Sequence, residues 1–231
     1  MVKKFCLILP VYNEIDNLHA NLGKVYAEVK RLGGVLSIAE DGSTDGSKEF
    51  IKAFSKKHSI IFITAKEKLG RGRALKRALT HINAKVIGYT DADLSVSLRH
   101  IKEAVILVEK GNKIVIGSRY SSLKAKRSFK RLVASKVYNF IVKIALNSKL
   151  NDHQCGFKFW DSSLNGFIKS IKGDGWFFDT ELLIKAQRRG IKIYELPVGF
   201  SDSKRTKVKI TDIIYFLREI IRLRLELHRH A

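Results

Sequence analysis

Val86-Ile87-Gly88-Tyr89-Thr90-Asp91-Ala92-Asp93 is the stretch on which the reading of this chain turns. The mostly apolar run reads as a buried strand, and the carboxylates that follow mark its end. Alternate residues of an extended segment face opposite ways, so Asp91 and Asp93 serve one ion only if the strand stops and the chain turns between them. Isolated aspartates at this spacing are more often plain turn residues. What surrounds them decides their meaning.

On the N-terminal side, Phe5 to Val11 reads as another buried strand. Ile15 to Leu32 is predicted as a helix from the spacing of Ile15, Leu18, Leu22, Val25 and Val29, ended by Gly33-Gly34. A short strand at Val35 to Ala39, a helix at Ser47 to Ser55, a strand at Ile60 to Thr64 and a helix at Gly72 to Ile82 lead into the quoted stretch. Beyond it come a helix at Ile101 to Glu109, a strand at Lys113 to Gly117, an apolar helix at Leu132 to Leu146 and the segment Asp152 to Trp160. A helix at Thr180 to Arg189, a strand at Ile191 to Val198 and a last helix at Thr211 to His230 complete the chain. Strands alternating with helices predict an α/β fold with right-handed crossovers and a mostly parallel, Rossmann-like sheet flanked by helices. Such sheets bind ligands outside the carboxyl ends of their strands. Asn13, Asp41, Gly42, Gly70 and Asp91 are all expected there.

The totals narrow the class. A chain of 231 residues, 45% of them hydrophobic, can bury a sizeable core, which argues against disorder. Cys6 and Cys155 form neither a disulfide framework nor a ligand cluster, which suits a reducing, intracellular setting. Lys and Arg outnumber Asp and Glu by 44 to 22, a formal charge of +22, and the expected partners are anionic. No run reaches the roughly 18 to 20 apolar residues that span a bilayer, and Met1-Val2-Lys3-Lys4 leads straight into a strand pattern. The seven histidines show no paired metal spacing, and most of them are expected at the surface.

The ordered motifs Leu9-Pro10-Val11-Tyr12-Asn13-Glu14, Glu40-Asp41-Gly42-Ser43-Thr44-Asp45-Gly46, Gly70-Arg71-Gly72-Arg73-Ala74, Asp91-Ala92-Asp93 and Gly117-Ser118-Arg119-Tyr120 resemble the family-2 glycosyltransferases. Asp152-His153-Gln154-Cys155-Gly156-Phe157-Lys158 and Trp176-Phe177-Phe178-Asp179-Thr180-Glu181 are similar to the polyprenyl-phosphate sugar synthases, especially the dolichyl-phosphate glucosyl- and mannosyltransferases. The resemblance covers Phe5 to Val208 and implies a GT-A-like single domain at residues 1–208 followed by an amphipathic C-terminal helix at 209–231.

It also implies roles. Pro10, Tyr12, Glu14 and Asp41 would contact the nucleotide. Asp93 would coordinate Mg²⁺ or Mn²⁺, with Asp91 assisting the metal or the ribose, Ala92 between them at the donor and Ser95 in the place of a further polar ligand. Hard oxygen donors suit such an ion, whose shell substrate phosphates can complete. Arg205 and Lys207 would clamp the donor phosphates. Arg119, Arg131 and Ser135 would gather the acceptor phosphate, a task suited to the bidentate arginine fork. The commoner Asp-Asp-Gly-Ser is here Glu40-Asp41-Gly42-Ser43, which leaves Glu40 without an inherited role.

The expected activity is inverting transfer of a hexose from a nucleotide sugar, UDP-glucose favoured over GDP-mannose, to dolichyl or polyprenyl phosphate. Through that lipid it would serve protein glycosylation. The basic stretch containing Lys124, Lys126, Arg127 and Lys130, together with the last helix, suggests peripheral attachment to the cytoplasmic face of an anionic membrane. A separate membrane protein partner is compatible with this. One rival is a glycosyltransferase acting on a sugar or protein hydroxyl, which would need Asp179 or Glu181 as general base. Another is a nucleic-acid-binding module, which accounts for the charge but leaves the carboxylate loops without purpose, so no nucleic acid is expected.

Overall fold

The structure is a computed structural model that describes residues 3–120, 129–201 and 210–229, with side chains inside the helices from 132 and 213 onward. The elements follow the chain as β1 (Lys3–Val11), α1 (Ile15–Arg31), β2 (Val35–Glu40), α2 (Ser47–Lys57), β3 (Ile61–Ile63), α3 (Arg71–Ala78) and β4 (Ala84–Thr90). They continue with α4 (His100–Glu109), β5 (Ile114–Ser118), α5 (Phe129–Leu146), β6 (Phe157–Asp161), α6 (Asn165–Lys169), α7 (Phe178–Arg188), β7 (Ile193–Pro197) and α8 (Ile210–His228). A 3₁₀ turn at Ser162–Leu164 and the short α6 after it had no counterpart in the periodicity, being too brief to show one.

The strands form one seven-stranded sheet in the order β3-β2-β1-β4-β6-β5-β7. All neighbours are parallel except β6, which runs antiparallel between β4 and β5. That reversal positions the site. The carboxyl ends of β1, β2, β4 and β5 share one edge, and because β6 points the other way the loop leading into it, residues 152–156, arrives at that same edge. The ladder continues beyond the strands there, with the Asp91 N–H donating to the Gly156 carbonyl at 3.1 Å.

One face of the sheet is covered by α1 and α4, whose Leu18, Leu22, Val25, Val29, Ile101 and Val105 are buried against Leu7, Leu9, Val86 and Phe159. The other is covered by α3 and α7 through Ala74, Leu75, Leu182 and Leu183 on Ile8, Ile87 and Ile116. A smaller apolar cluster lies beside these layers. Val142 and Leu146 of α5, Phe177, Ile184 of α7, and Ile220 and Leu223 of α8 are all buried in it. The last helix is therefore packed on the body along one face. Its opposite face carries Ile213, Ile214, Leu217, Ile221 and Leu225 exposed, and α5 likewise exposes Val133, Val137, Phe140 and Ile144. Among the described residues no helix is long and apolar enough to cross a membrane.

Candidate active site

The loops after β1 and β2 are stitched together. Asn13 adopts a left-handed backbone, φ 54°, and donates its N–H to Ser43 Oγ at 3.1 Å while its side-chain oxygen accepts from Thr44 N–H at 2.8 Å. The first turn of α1 is capped across the gap. Glu14 N–H donates to Ser47 Oγ and Ile15 N–H to Asp45, both at 3.0 Å, satisfying donors that a helix start leaves open. Glu14 itself accepts from the Asn17 amide. Glu40 is fully buried and accepts from Ser43 N–H and the Thr64 hydroxyl. It fixes the loop from below, which explains a carboxylate at that position.

Asp41 turns inward. One oxygen accepts from the N–H groups of Leu69, at 3.1 Å, and Gly70, at 2.7 Å, and the other faces Arg77 at 3.6 Å. Asp41 thereby shapes the 66–70 loop, from which Lys68 lies over the Tyr12 ring, 4.2 Å from its centroid. Pro10, Tyr12 and Glu14 are half-buried along the rim. Gly42 also has a positive φ of 73°, and a side chain there would strike the Glu67 backbone. The turn needs glycine on both counts.

At the end of β4 the chain turns as the sequence required. Leu94 takes a left-handed backbone, φ 50°, its N–H bonding the Asp91 carbonyl at 3.2 Å. Asp93 accepts from Ser95 N–H at 2.9 Å, and Asn21 of α1 holds the Ala92 carbonyl at 3.0 Å. Ala92 is buried, whereas Asp91, Asp93 and Ser95 are partly exposed at the edge. Gly156 lies directly against Asp91, and a Cβ there would run into its carboxylate. Burial first, and then the like charges of Asp93 and Asp179 working against Arg71 and Lys158, raise the Asp91 pKa to about 6.

Behind this turn is a buried charge cluster. Asp179, on α7, accepts from Arg71 and from the Tyr89 hydroxyl and pairs with Lys158 Nζ at 3.0 Å. Arg71 also reaches Asp91 at 3.4 Å. Burial opposes the Arg71 charge, but Asp179, Tyr89 and Asp91 outweigh it and raise its pKa. Lys158, on β6, is fully buried and donates to the Cys155 carbonyl at 2.7 Å and that of His153 at 3.3 Å. Lys158 and Tyr89 stand inside the quoted motifs, but the sequence assigned neither a role. A lysine between Phe157 and Phe159 was the available signal, because a charge inside an apolar strand requires a counter-charge.

On the other side, Arg119 follows β5 and sits fork to fork on Asp152, with a ring contact to Phe200 at 5.2 Å. Burial works against the Asp152 charge, yet Arg119 holds its pKa below the ordinary aspartate value. Ser135 is bonded to the Tyr120 hydroxyl, which also accepts from Asn139 at 3.1 Å. His153 is buried rather than superficial, bonded to Asn139 and to Ser148, and burial lowers its pKa to about 4, so it is neutral. His100 is buried too. Arg131 falls in the first turn of α5 with its side chain outside the described residues; Lys124, Lys126, Arg127, Arg205 and Lys207 lie outside them altogether.

Among the described residues no three His, Cys, Asp or Glu side chains converge to cage a metal. A magnesium-like ion does not need a cage. It is held by one or two carboxylates with phosphates and water, and the negative charge of Asp93 and Asp179 beside Asp91, which adds to burial in raising the Asp91 pKa, is charge a cation would relieve. The donor set fits such an ion.

A mixed sheet of this order, with an acidic turn after β4 and aspartate-paired arginines on either side, is the GT-A fold. The glycosyl transferase family 2 profile matches residues 6–165, and the chain belongs to that family. It is 34% identical to the glycosyltransferase AglD of Haloferax volcanii over 94% of its own length, but spans only 36% of that protein. It is 29% identical to a dolichyl-phosphate beta-glucosyltransferase of Trichomonas vaginalis, over 94% of this chain and 72% of that one. A solved structure of glucosyl-3-phosphoglycerate synthase from Mycobacterium tuberculosis, in complex with Mn²⁺, UDP and glucosyl-3-phosphoglycerate, superimposes with a TM-score of 0.70 at 16% identity, covering 97% of this chain and 79% of that one. That likeness is one of fold.

Proposed function

We propose that this chain transfers glucose, with inversion, from UDP-glucose to a polyprenyl phosphate of the dolichyl type at the cytoplasmic face of a membrane. The observation that carries the reading is the state of the two carboxylates a hydroxyl acceptor would need as base. Asp179 is fully buried, accepts from Arg71 and Tyr89, and is paired with Lys158. Glu181 is fully buried and accepts from Lys172 N–H, Gly173 N–H, Lys185 and Arg222. Neither is placed to take a proton. A phosphate acceptor requires no base, being largely ionised near neutral pH with a second pKa of roughly 6.

In this reading an acceptor phosphate oxygen bonds to C1 of the hexose from the face opposite the diphosphate. The C1–oxygen bond breaks, and its electron pair leaves with UDP. Asp91 and Asp93 would hold Mg²⁺ or Mn²⁺, which supplies positive charge where the leaving diphosphate gains negative charge. Arg71 adds fixed charge beside Asp91, with Arg205 and Lys207 as further clamps. Tyr12, Pro10, Glu14 and the loop shaped by Asp41 form the nucleotide side. Arg119 directs Nε and Nη2 at Asp152, leaving Nη1 as its donor toward a phosphate oxygen, and Arg131 and Ser135 complete the acceptor side.

The exposed apolar rows of α5 and α8, four residues apart or nearly so, support contact with a bilayer surface. Exposed Lys136, Arg218 and Arg224 on the same helices suit anionic headgroups. A panel of nucleotide sugars assayed with a short polyprenyl phosphate, read by the mass of the lipid product, tests the proposal. UDP-glucose should give a hexosyl lipid, and transfer only to sugar or protein hydroxyls would overturn it.

A further inference from the structure

Of the chain's two tryptophans, Trp160 is fully buried and donates its Nε1–H to Asn165, whereas Trp176 is 54% exposed. Its neighbours make that exposure local and specific. Phe177 and Phe178, next in the chain, are buried, so the turn before α7 drives two aromatic rings into the body and leaves the third outside. The exposed ring is held in place. Gln154 Nε2 donates to the Trp176 carbonyl at 3.2 Å and to Thr180 Oγ1 at 2.8 Å, and the Arg71 guanidinium lies 4.6 Å from the centroid of the indole.

That guanidinium is the one that also reaches Asp91 at 3.4 Å and is anchored from behind by Asp179. The indole therefore stands one cation away from the acidic turn. An indole left in water gives up the gain of burying it, and here Arg71 occupies one side of the ring while much of the remainder stays open. A flat apolar face beside an anion-binding cation matches a sugar joined to a diphosphate, whose C–H face can lie on the ring while its phosphates meet the cation.

We propose that Trp176 is the platform for the donor's hexose and that it discriminates a nucleotide sugar from the bare nucleotide. The inference rests on the nucleotide-sugar reading above. It makes Trp176 a specificity residue on the donor side, placed by Arg71 and Gln154, instead of a piece of core that failed to bury.

Tryptophan emission, excited selectively, is followed on wild type and Trp176→Phe during titration with UDP and with UDP-glucose in Mg²⁺ buffer; the difference between the two proteins isolates Trp176 from Trp160. Calorimetry supplies the affinities of wild type and Trp176→Ala for both ligands. UDP-glucose should change the Trp176 signal far more than UDP does. Trp176→Ala should weaken UDP-glucose roughly two- to tenfold, as loss of one aromatic contact does, and leave UDP unchanged, with Trp176→Phe in between. Equal responses to the two ligands, or equal loss of both affinities in Trp176→Ala, would each overturn the proposal. Wild type that binds neither UDP nor UDP-glucose would instead sink the donor reading itself, and is told apart by the wild-type calorimetry alone.

Discussion

Arg119 and Asp152 meet fork to fork: Nε and Nη2 each lie 2.6 Å from a carboxylate oxygen, and the Arg119 backbone N–H adds a third bond at 3.1 Å. Asp152 is fully buried and Arg119 nearly so, which makes this pair the joint between β5 and the loop that enters β6. Removing one partner of such a pair leaves a buried charge uncompensated, at a cost of about 3 to 5 kcal/mol. Asp152→Ala should lose about that much stability in urea unfolding.

The same pair sets an acid limit. The folded pKa of Asp152 is depressed, so the stability it contributes is present above the ordinary aspartate value and is lost as pH falls through the folded one. Unfolding measured from pH 7 down to 3 should steepen at the acid end in wild type, and that dependence should be reduced in Asp152→Asn.

Asp91 has the opposite sign. Its folded pKa is raised from 3.8 to about 6, so its contribution is fully present below 3.8 and is lost as pH rises through 6. In metal-free buffer at pH 7, Asp91→Asn should raise the thermal midpoint while lowering transfer, the trade expected where a site holds charges it would shed. An unchanged or lower midpoint would contradict the crowding described here.

Asp93→Asn should abolish metal-dependent transfer with the circular dichroism spectrum intact, because it removes an anionic ligand without changing side-chain volume. Undiminished transfer in this variant, or wild-type turnover indifferent to a strong chelator, would count against the metal.

Arg131→Lys should impair the acceptor step far more than donor binding, since it keeps the charge and loses the bidentate fork. Each charge-assisted bond lost is worth roughly 1.5 to 3 kcal/mol, read as kcat/KM for the lipid phosphate against the affinity for UDP-glucose. An equal fall in both would move Arg131 to the donor side.

The exposed row of α8 should bind anionic vesicles at low salt and release at high salt. Replacing Leu217 and Ile221 by Glu should abolish flotation and spare transfer to a short soluble acceptor. Truncation after Ile210 is a poorer test. It also strips Ile220 and Leu223 from the core and Arg222 from buried Glu181, where the bond is 2.6 Å, and should destabilise the whole chain.

Local periodicity alone set the element order, because a helix or strand writes its buried face into residues a few positions apart. Leu18, Leu22, Val25 and Val29 did so for α1, and Val86 to Thr90 for β4. Turn chemistry did the same for Asn13, Gly42, Gly70 and the stop at Asp91, since left-handed or crowded backbone restricts which residue can stand there. Pairings between distant segments carry no such local mark. Only the tertiary structure inserted β6 antiparallel between β4 and β5, brought Gly156 against Asp91, gave Arg119 to Asp152, and filled the sheet with a Lys158 that Asp179 neutralises. The sequence read α8 as a single apolar stripe; packing against α5 and α7 buried Ile220 and Leu223 and left Ile213, Ile214, Leu217 and Ile221 exposed. Trp176 and Phe177 are neighbours of similar character, and their opposite fates follow from the turn before α7, which sends one ring into the core and leaves the other beside Arg71.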